Sequence, residues 1–290
     1  MEDGLTIEEM GQQALLQALF WQVETGCDHV LLDDPKNAAE WTVSLKEIMA
    51  THQPDLDLKK VPAIAPVMPT QAESTRAEPK QAITPATQRP QTSPSLDDIT
   101  DLSALKAALS SFEGCELKRT ASNLVFCDGN EAAKIMIIGE APGKDEDRMG
   151  LPFVGSAGQL LDQMLGAVGL DRTRVYIANI MPWRPPGNRA LTVEETEMMR
   201  PFVEKHISLI APDVILSLGG TASKMLLQSQ EGIMKIRGKF HDYATTNAPQ
   251  NIIPLLPCLH PGYLLRSPHH KAFAFKDLVK LRRKALELAS

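Results

Sequence analysis

No apolar run in this 290-residue chain comes near the ~20 consecutive residues that a helix needs to cross a bilayer. The acidic opening Met1-Glu2-Asp3-Gly4 has neither the basic nor the apolar part of a signal peptide. A cytoplasmic protein with no membrane partner is therefore expected. Cysteine is scarce: the 4 cysteines are scattered, which gives no reason to expect disulfides in a cytosolic chain. An excess of positive charge is missing too, the net charge being -6. An anionic ligand would have to be drawn by local patches rather than by the molecule as a whole. No internal repeat is visible.

The charge that is present is divided unevenly. Residues 1–100 carry 7 Lys+Arg against 16 Asp+Glu, and residues 101–290 carry 23 against 20. The last forty residues alone hold 7 basic and 2 acidic groups, compatible with a phosphate backbone as ligand and also with an ordinary solvated helix. Three segments follow. Residues 1–50 are expected to form a small helical module, in which Ile7, Met10, Ala14, Leu15, Leu19 and Val23 would make an apolar stripe that Gly26 would stop. Gln13 to Phe20 loosely echoes a sliding-clamp peptide, which leaves a protein partner for this helix open. Residues 51–96 are rich in proline, with Pro62, Pro66, Pro69, Pro79, Pro85, Pro90 and Pro94, and read as a disordered tether. Residues 97–290 read as the main globular domain, and a monomer is expected.

Within that domain the apolar period switches repeatedly. Strands are predicted at Lys134–Gly139, Val175–Asn179, Val214–Gly219 and Ile252–Leu259, with helices at Ala157–Val168, Val193–Ile210, Thr221–Leu227 and His270–Leu288. Strands alternating with helices indicate an α/β fold, a three-layer αβα sandwich on a parallel sheet. In such sheets ligands bind beyond the carboxyl ends of the strands. Polar groups collect there: Glu140 and Glu146 after the first strand, Asn179 at the end of the second, the Gly219-Gly220-Thr221 turn after the third, and His260 after the fourth.

Four ordered motifs carry a resemblance. Gly139-Glu-Ala-Pro-Gly-Lys-Asp-Glu-Asp147, Pro152-Phe-Val-Gly-Ser-Ala-Gly-Gln-Leu-Leu161, Arg184-Pro-Pro-Gly-Asn-Arg189 and His260-Pro-Gly-Tyr-Leu-Leu-Arg266 are similar to family 4 of the uracil-DNA glycosylases, a group first described in thermophiles. The similarity runs from about Cys115 to Leu286. It implies a central four-stranded parallel sheet and hydrolysis of uracil from DNA after base flipping. It further implies that Phe153 stacks on the flipped base, that the Asn179 amide reads its edge, and that His260 donates to uracil O2 as charge builds there. Glu140 would lie near the sugar and position water. Glu146 would line the pocket near C5, with Gly139 and Ala141 beside it. Ala141 stands where the best-known glycosylase family carries a water-activating Asp, which weakens any claim of strong general-base catalysis. Asp145 and Asp147 are expected to be solvated or helix-capping acids. Arg184, Arg189 and the helix starts at Ser156 and Thr221 would meet phosphates. Leu264, Leu265 and Arg266 would form the wedge that enters the gap left by the base.

The chain departs from the family at Ser156, where members often carry a basic residue, and more deeply at a set of metal ligands. Members typically hold a four-iron cluster on four cysteines, and those positions read Cys115, Lys118, Trp183 and Met199 here. One thiolate cannot hold a cluster that takes four, so no metal or cofactor is expected. Two other readings stay open: a glycosylase for another deaminated base such as hypoxanthine, and a non-catalytic DNA-binding module.

Overall fold

The computed structural model describes residues 96–245 and 248–289. The predicted helix at residues 7–26 and the proline-rich stretch up to residue 95 lie outside them. No described helix is long and apolar enough to cross a membrane.

The first strand of the parallel core, Ile135–Gly139, is buried at all five positions, as expected where helices cover both faces of a sheet. Its side chains alternate between two cores. Ile135 and Ile137 pack with Leu161, Met164, Leu216, Leu256 and Leu278, whereas Met136 and Ile138 pack with Tyr176, Val203, Ile207, Ile215 and Met225. The elements in chain order are α1 (Leu102–Ser111), α2 (Leu117–Thr120), β1 (Cys127–Gly129), β2 (Ile135–Gly139), α3 (Lys144–Met149), α4 (Ser156–Gly166), β3 (Val175–Asn179), α5 (Val193–Ile210), β4 (Val214–Leu218), α6 (Gly220–Leu227), α7 (Ile233–Ile236), β5 (His241–Thr245), β6 (Ala248–Cys258), α8 (Pro261–Arg266) and α9 (Lys271–Ala289). Helices α4 and α9 cover one face, α5 and α6 the other, which is the αβα sandwich.

The sheet has six strands in the order β1-β3-β2-β4-β6-β5. The inner four pair in parallel, as the resemblance implies. The sheet is wider than four strands, because β1 pairs with β3 and β5 with β6, both antiparallel. Both additions are short edges, without the long apolar run that marks a doubly covered strand. In the inner four, Gly139 stands opposite Asn179, Ile138 opposite Ser217 and Leu218 opposite Cys258. All four carboxyl ends therefore reach one edge of the sheet at the same level.

A third cluster sits beside the sheet and joins α1, α2 and α5 through Leu105, Leu109, Cys115, Leu117, Met181, Trp183 and Met199. Helix α5 starts on a capping box in which Glu195 N–H donates to Thr192 Oγ1 and Thr192 N–H donates to the Glu195 carboxylate.

Candidate active site

At the carboxyl edge lies a cleft of about 630 Å³ lined by Glu140, Ala141, Glu146, Phe153, Asn179 and His260, among others. Eight of the sequence-predicted residues, Arg189 and Arg266 included, thus meet in one place. Gly139 explains how they approach so closely: a Cβ there would stand 2.4 Å from Asn179 Oδ1 and 2.6 Å from Phe153 Cζ. Only a bare backbone lets the amide and the ring share that floor. Among the described residues nothing hydrogen-bonds the Asn179 amide or the Glu140 carboxylate, so the polar capacity of both is open to a ligand.

Phe153 occupies the left-handed region at φ 54, where a bulky side chain is strained and must be held by its surroundings. Two devices hold it. Gly158 permits the approach, since a Cβ there would lie 1.7 Å from the Phe153 carbonyl oxygen. Arg172 donates to that same oxygen and to Pro152 O, while its guanidinium also pairs with Asp128 and, at 2.8 Å, with Asp162. Sequence reasoning missed Arg172, because 19 residues separate it from its target. The one available signal was a Pro-Phe-Val-Gly turn with an aromatic ring where glycine would be easier.

Glu146 lines the cleft but is not a free acid. It is only 8 % exposed and accepts from Gly143 N–H at 3.1 Å, Val154 N–H at 3.0 Å and Gly155 N–H at 2.8 Å. Its carboxylate ties the first turn to the Phe153 loop. Asp147 differs from expectation too: it is buried and accepts from the N–H groups of Ser122 and Asn123. Asp145 is exposed and pairs with Arg148 at 3.5 Å.

His260 caps α8, its Nδ1 accepting from Gly262 N–H at 3.0 Å. An acceptor Nδ1 leaves the proton on Nε2. Burial, with the charge of Arg266 adding and that of Glu146 opposing, lowers its pKa to about 4. At neutral pH the ring is an uncharged Nε2–H donor, 5.6 Å from the Phe153 ring centre to centre.

The wedge is corrected in one residue. Leu264 is 0 % exposed and belongs to the core, whereas Leu265 is 43 % exposed and Arg266 lines the cleft. One turn of α8 cannot present both leucines outward. The two arginines of the 184–189 loop are engaged within the protein: Arg184 donates to Asn188 at 2.7 Å, and Arg189 makes a two-pronged pair with Glu195 at 2.6 and 2.9 Å. That loop is braced on the α5 capping box, and Arg189 still lines the cleft. Ser156 opens α4 and is exposed, and Thr221 lies in the first turn of α6, where backbone N–H groups are unpaired.

Cys115, Trp183 and Met199 do converge, all buried in the third cluster, and burial raises the Cys115 thiol pKa. Lys118 pairs with Glu113. One thiol, an indole, a thioether and an ammonium do not fit a thiolate-bound iron cluster. Among the described residues no group of three or more His, Cys, Asp or Glu could hold a metal ion.

Residues 126–281 match the family described as the uracil DNA glycosylase superfamily. A type-4 uracil-DNA glycosylase of Archaeoglobus fulgidus is 36% identical over 191 residues, which are 64% of this chain and 92% of that one. Another of Sulfurisphaera tokodaii is 35% identical over 64% of this chain and 85% of its own. A third, of Thermotoga maritima, is 39% identical over 53% and 77%.

Proposed function

Because the chain belongs to the uracil DNA glycosylase superfamily, we propose that its cleft hydrolyses the bond between uracil and deoxyribose in DNA, a step of DNA repair, by the following division of labour. The uracil, out of the stack, lies against Phe153, and the Asn179 amide donates its N–H to O4 and accepts N3–H on its carbonyl oxygen, in fixed order. Uracil departs as an anion. His260 Nε2–H donates to O2 as that charge develops, and a neutral ring suffices because the stabilisation is electrostatic. The electron pair of the C1′–N1 bond leaves with the base, a water oxygen bonds to C1′, and the water proton passes to solvent. Glu140 orients the water and faces the cationic sugar. The DNA backbone stays intact and an abasic site remains.

Glu146 fixes the turn and borders C5 of the base. Leu265 serves as the apolar wedge with Arg266 on the backbone. We also assign phosphate contacts to the starts of α4 and α6, and to the loop held by Arg184 and Arg189. The enzyme is read as cytoplasmic and monomeric, and as cluster-free because Cys115 is the one thiol among the four ligand positions.

The observation that carries this reading is the pairing of a tautomer-fixed His260 donor with an uncommitted Asn179 amide across the Phe153 ring. A uracil-containing oligonucleotide, treated with the protein and then with alkali, should break at the uracil. His260→Ala should slow excision by ~10²-fold or more. Equal rates for variant and parent would remove His260 from the mechanism, and breakage without alkali would indicate lyase chemistry instead.

A further inference from the structure

A row of rings leads away from the cleft. Tyr263 lines the cleft, and its hydroxyl hydrogen-bonds His270 Nδ1 at 2.7 Å. The Tyr263 and His270 rings lie 5.4 Å apart at 18°, and the His270 and Phe273 rings 5.6 Å apart at 24°. His269 leans on His270 at 4.0 Å. At the far end the Arg237 guanidinium stands 5.0 Å from the Phe273 ring centre and donates to its carbonyl, itself anchored by buried Asp277 at 2.6 Å. Rings at these spacings are offset, so each leaves part of its face uncovered. Phe273 is 40 % exposed.

Tyr263 and His270 are half-buried and Phe273 is exposed, so the row reaches solvent along part of its length, and the charge of the segment that carries it indicates what covers that part. From residue 251 to residue 276 there is no Asp or Glu, while Arg266, Lys271 and Lys276 fall within the run. That composition suits a polyanion that also carries flat apolar faces. We infer that Tyr263, His270 and Phe273 form a stacking ledge for the bases next to the extruded uracil in an unpaired DNA strand. In a duplex those bases are stacked and paired, and their faces are covered. The ledge therefore favours single-stranded substrate. The inference rests on the cleft being the uracil site and extends that site outward by several nucleotides.

Binding is the direct test, read by fluorescence anisotropy with a labelled oligonucleotide that carries a stable abasic analogue, used as a single strand and as a duplex. Phe273→Leu and His270→Leu keep apolar bulk and remove the ring, and each should weaken single-strand binding about tenfold. Duplex binding should change less than twofold. Phe273→Trp should restore the single-strand affinity, and thermal melting checks that every variant is folded. Equal losses on both DNAs would overturn the ledge, since backbone contacts alone would explain them. Parent-like binding by both leucine variants would also overturn it. Excision by the parent is scored separately: a parent that binds single strands through the ledge yet never releases uracil defeats the reading of the cleft and not the ledge.

Discussion

Single residues do the most demanding work at Gly139 and Arg172. Adding one methyl at Gly139 places it within 2.6 Å of both Asn179 and Phe153. Because the atoms it meets are side-chain ends, the fold can accommodate it while the site cannot. Gly139→Ala should keep its melting temperature within a few degrees and lose ~10²-fold in kcat/KM, the effect expected of an ångström-scale displacement. A variant with parental kcat/KM would show that the amide and ring need not sit where they do. In the proposed site Arg172 is a positioning residue, acting on the base only through the Phe153 carbonyl. Left-handed backbone at a non-glycine costs on the order of 1–3 kcal/mol, and the guanidinium offsets it with a fork that an ammonium cannot reproduce. Arg172→Met should lower both stability and kcat. Arg172→Lys should recover most of the stability while kcat stays ~10-fold down, and full recovery of both would refute the clamp. Of these two residues the sequence disclosed only Gly139, which lies inside a motif. Arg172 has no periodicity and no neighbour in the chain to betray its target. The choice between Leu264 and Leu265 was equally hidden, since adjacent leucines on a short helix differ only in which way the turn faces.

Among the elements, α1, α2 and α5 meet on the cluster that contains Trp183. Truncating a buried indole there removes contacts from all three and leaves a cavity, so Trp183→Ala should cost ~3–5 kcal/mol. Chemical denaturation reads that cost. A catalytic loss should accompany it as the 184–189 loop slackens. The same protein expressed anaerobically should be colourless, and stoichiometric iron with thiolate absorption near ~400 nm would place the ligands elsewhere. The strands and long helices were legible because each carries its own period: Val175–Asn179 and Val193–Ile210 have the predicted bounds. Strands β1 and β5 were not, since each is defined by the partner it pairs with rather than by its own composition. The same holds for Glu146 and Asp147, whose sequence says acid and whose surroundings make them acceptors for loop amides.

At the scale of the whole molecule, two histidines weigh on the response to acid, and His270, its pKa lowered by desolvation and by the charges of His269 and Arg237, adds in the same direction. His206 hydrogen-bonds Tyr176 at 2.7 Å inside the core, and burial lowers its pKa to about 4, the same value as His260. The unfolded chain takes up these protons near pH 6.5 and the folded one only near 4. Below pH 6.5 the unfolded state therefore binds more protons, and stability falls as the pH is lowered, by at most about 1.4 kcal/mol per unit for each ring. Asp277, whose carboxyl pKa burial raises, opposes the two rings in part of that window. Urea unfolding should show a clear loss between pH 6.5 and 5, reduced by His206→Gln, and a flat profile there would exclude the effect. The alignment of four strand ends has a kinetic consequence. Gly139, Asn179 and His260 are spread over roughly 120 residues and meet only when β2, β3, β4 and β6 are paired in register. A slip of one residue in any of these strands would turn its end group to the opposite face. Non-local pairing of this kind is the slow part of folding. Excision activity thus becomes a late and all-or-none signal of sheet assembly, regained during refolding with the slowest phase.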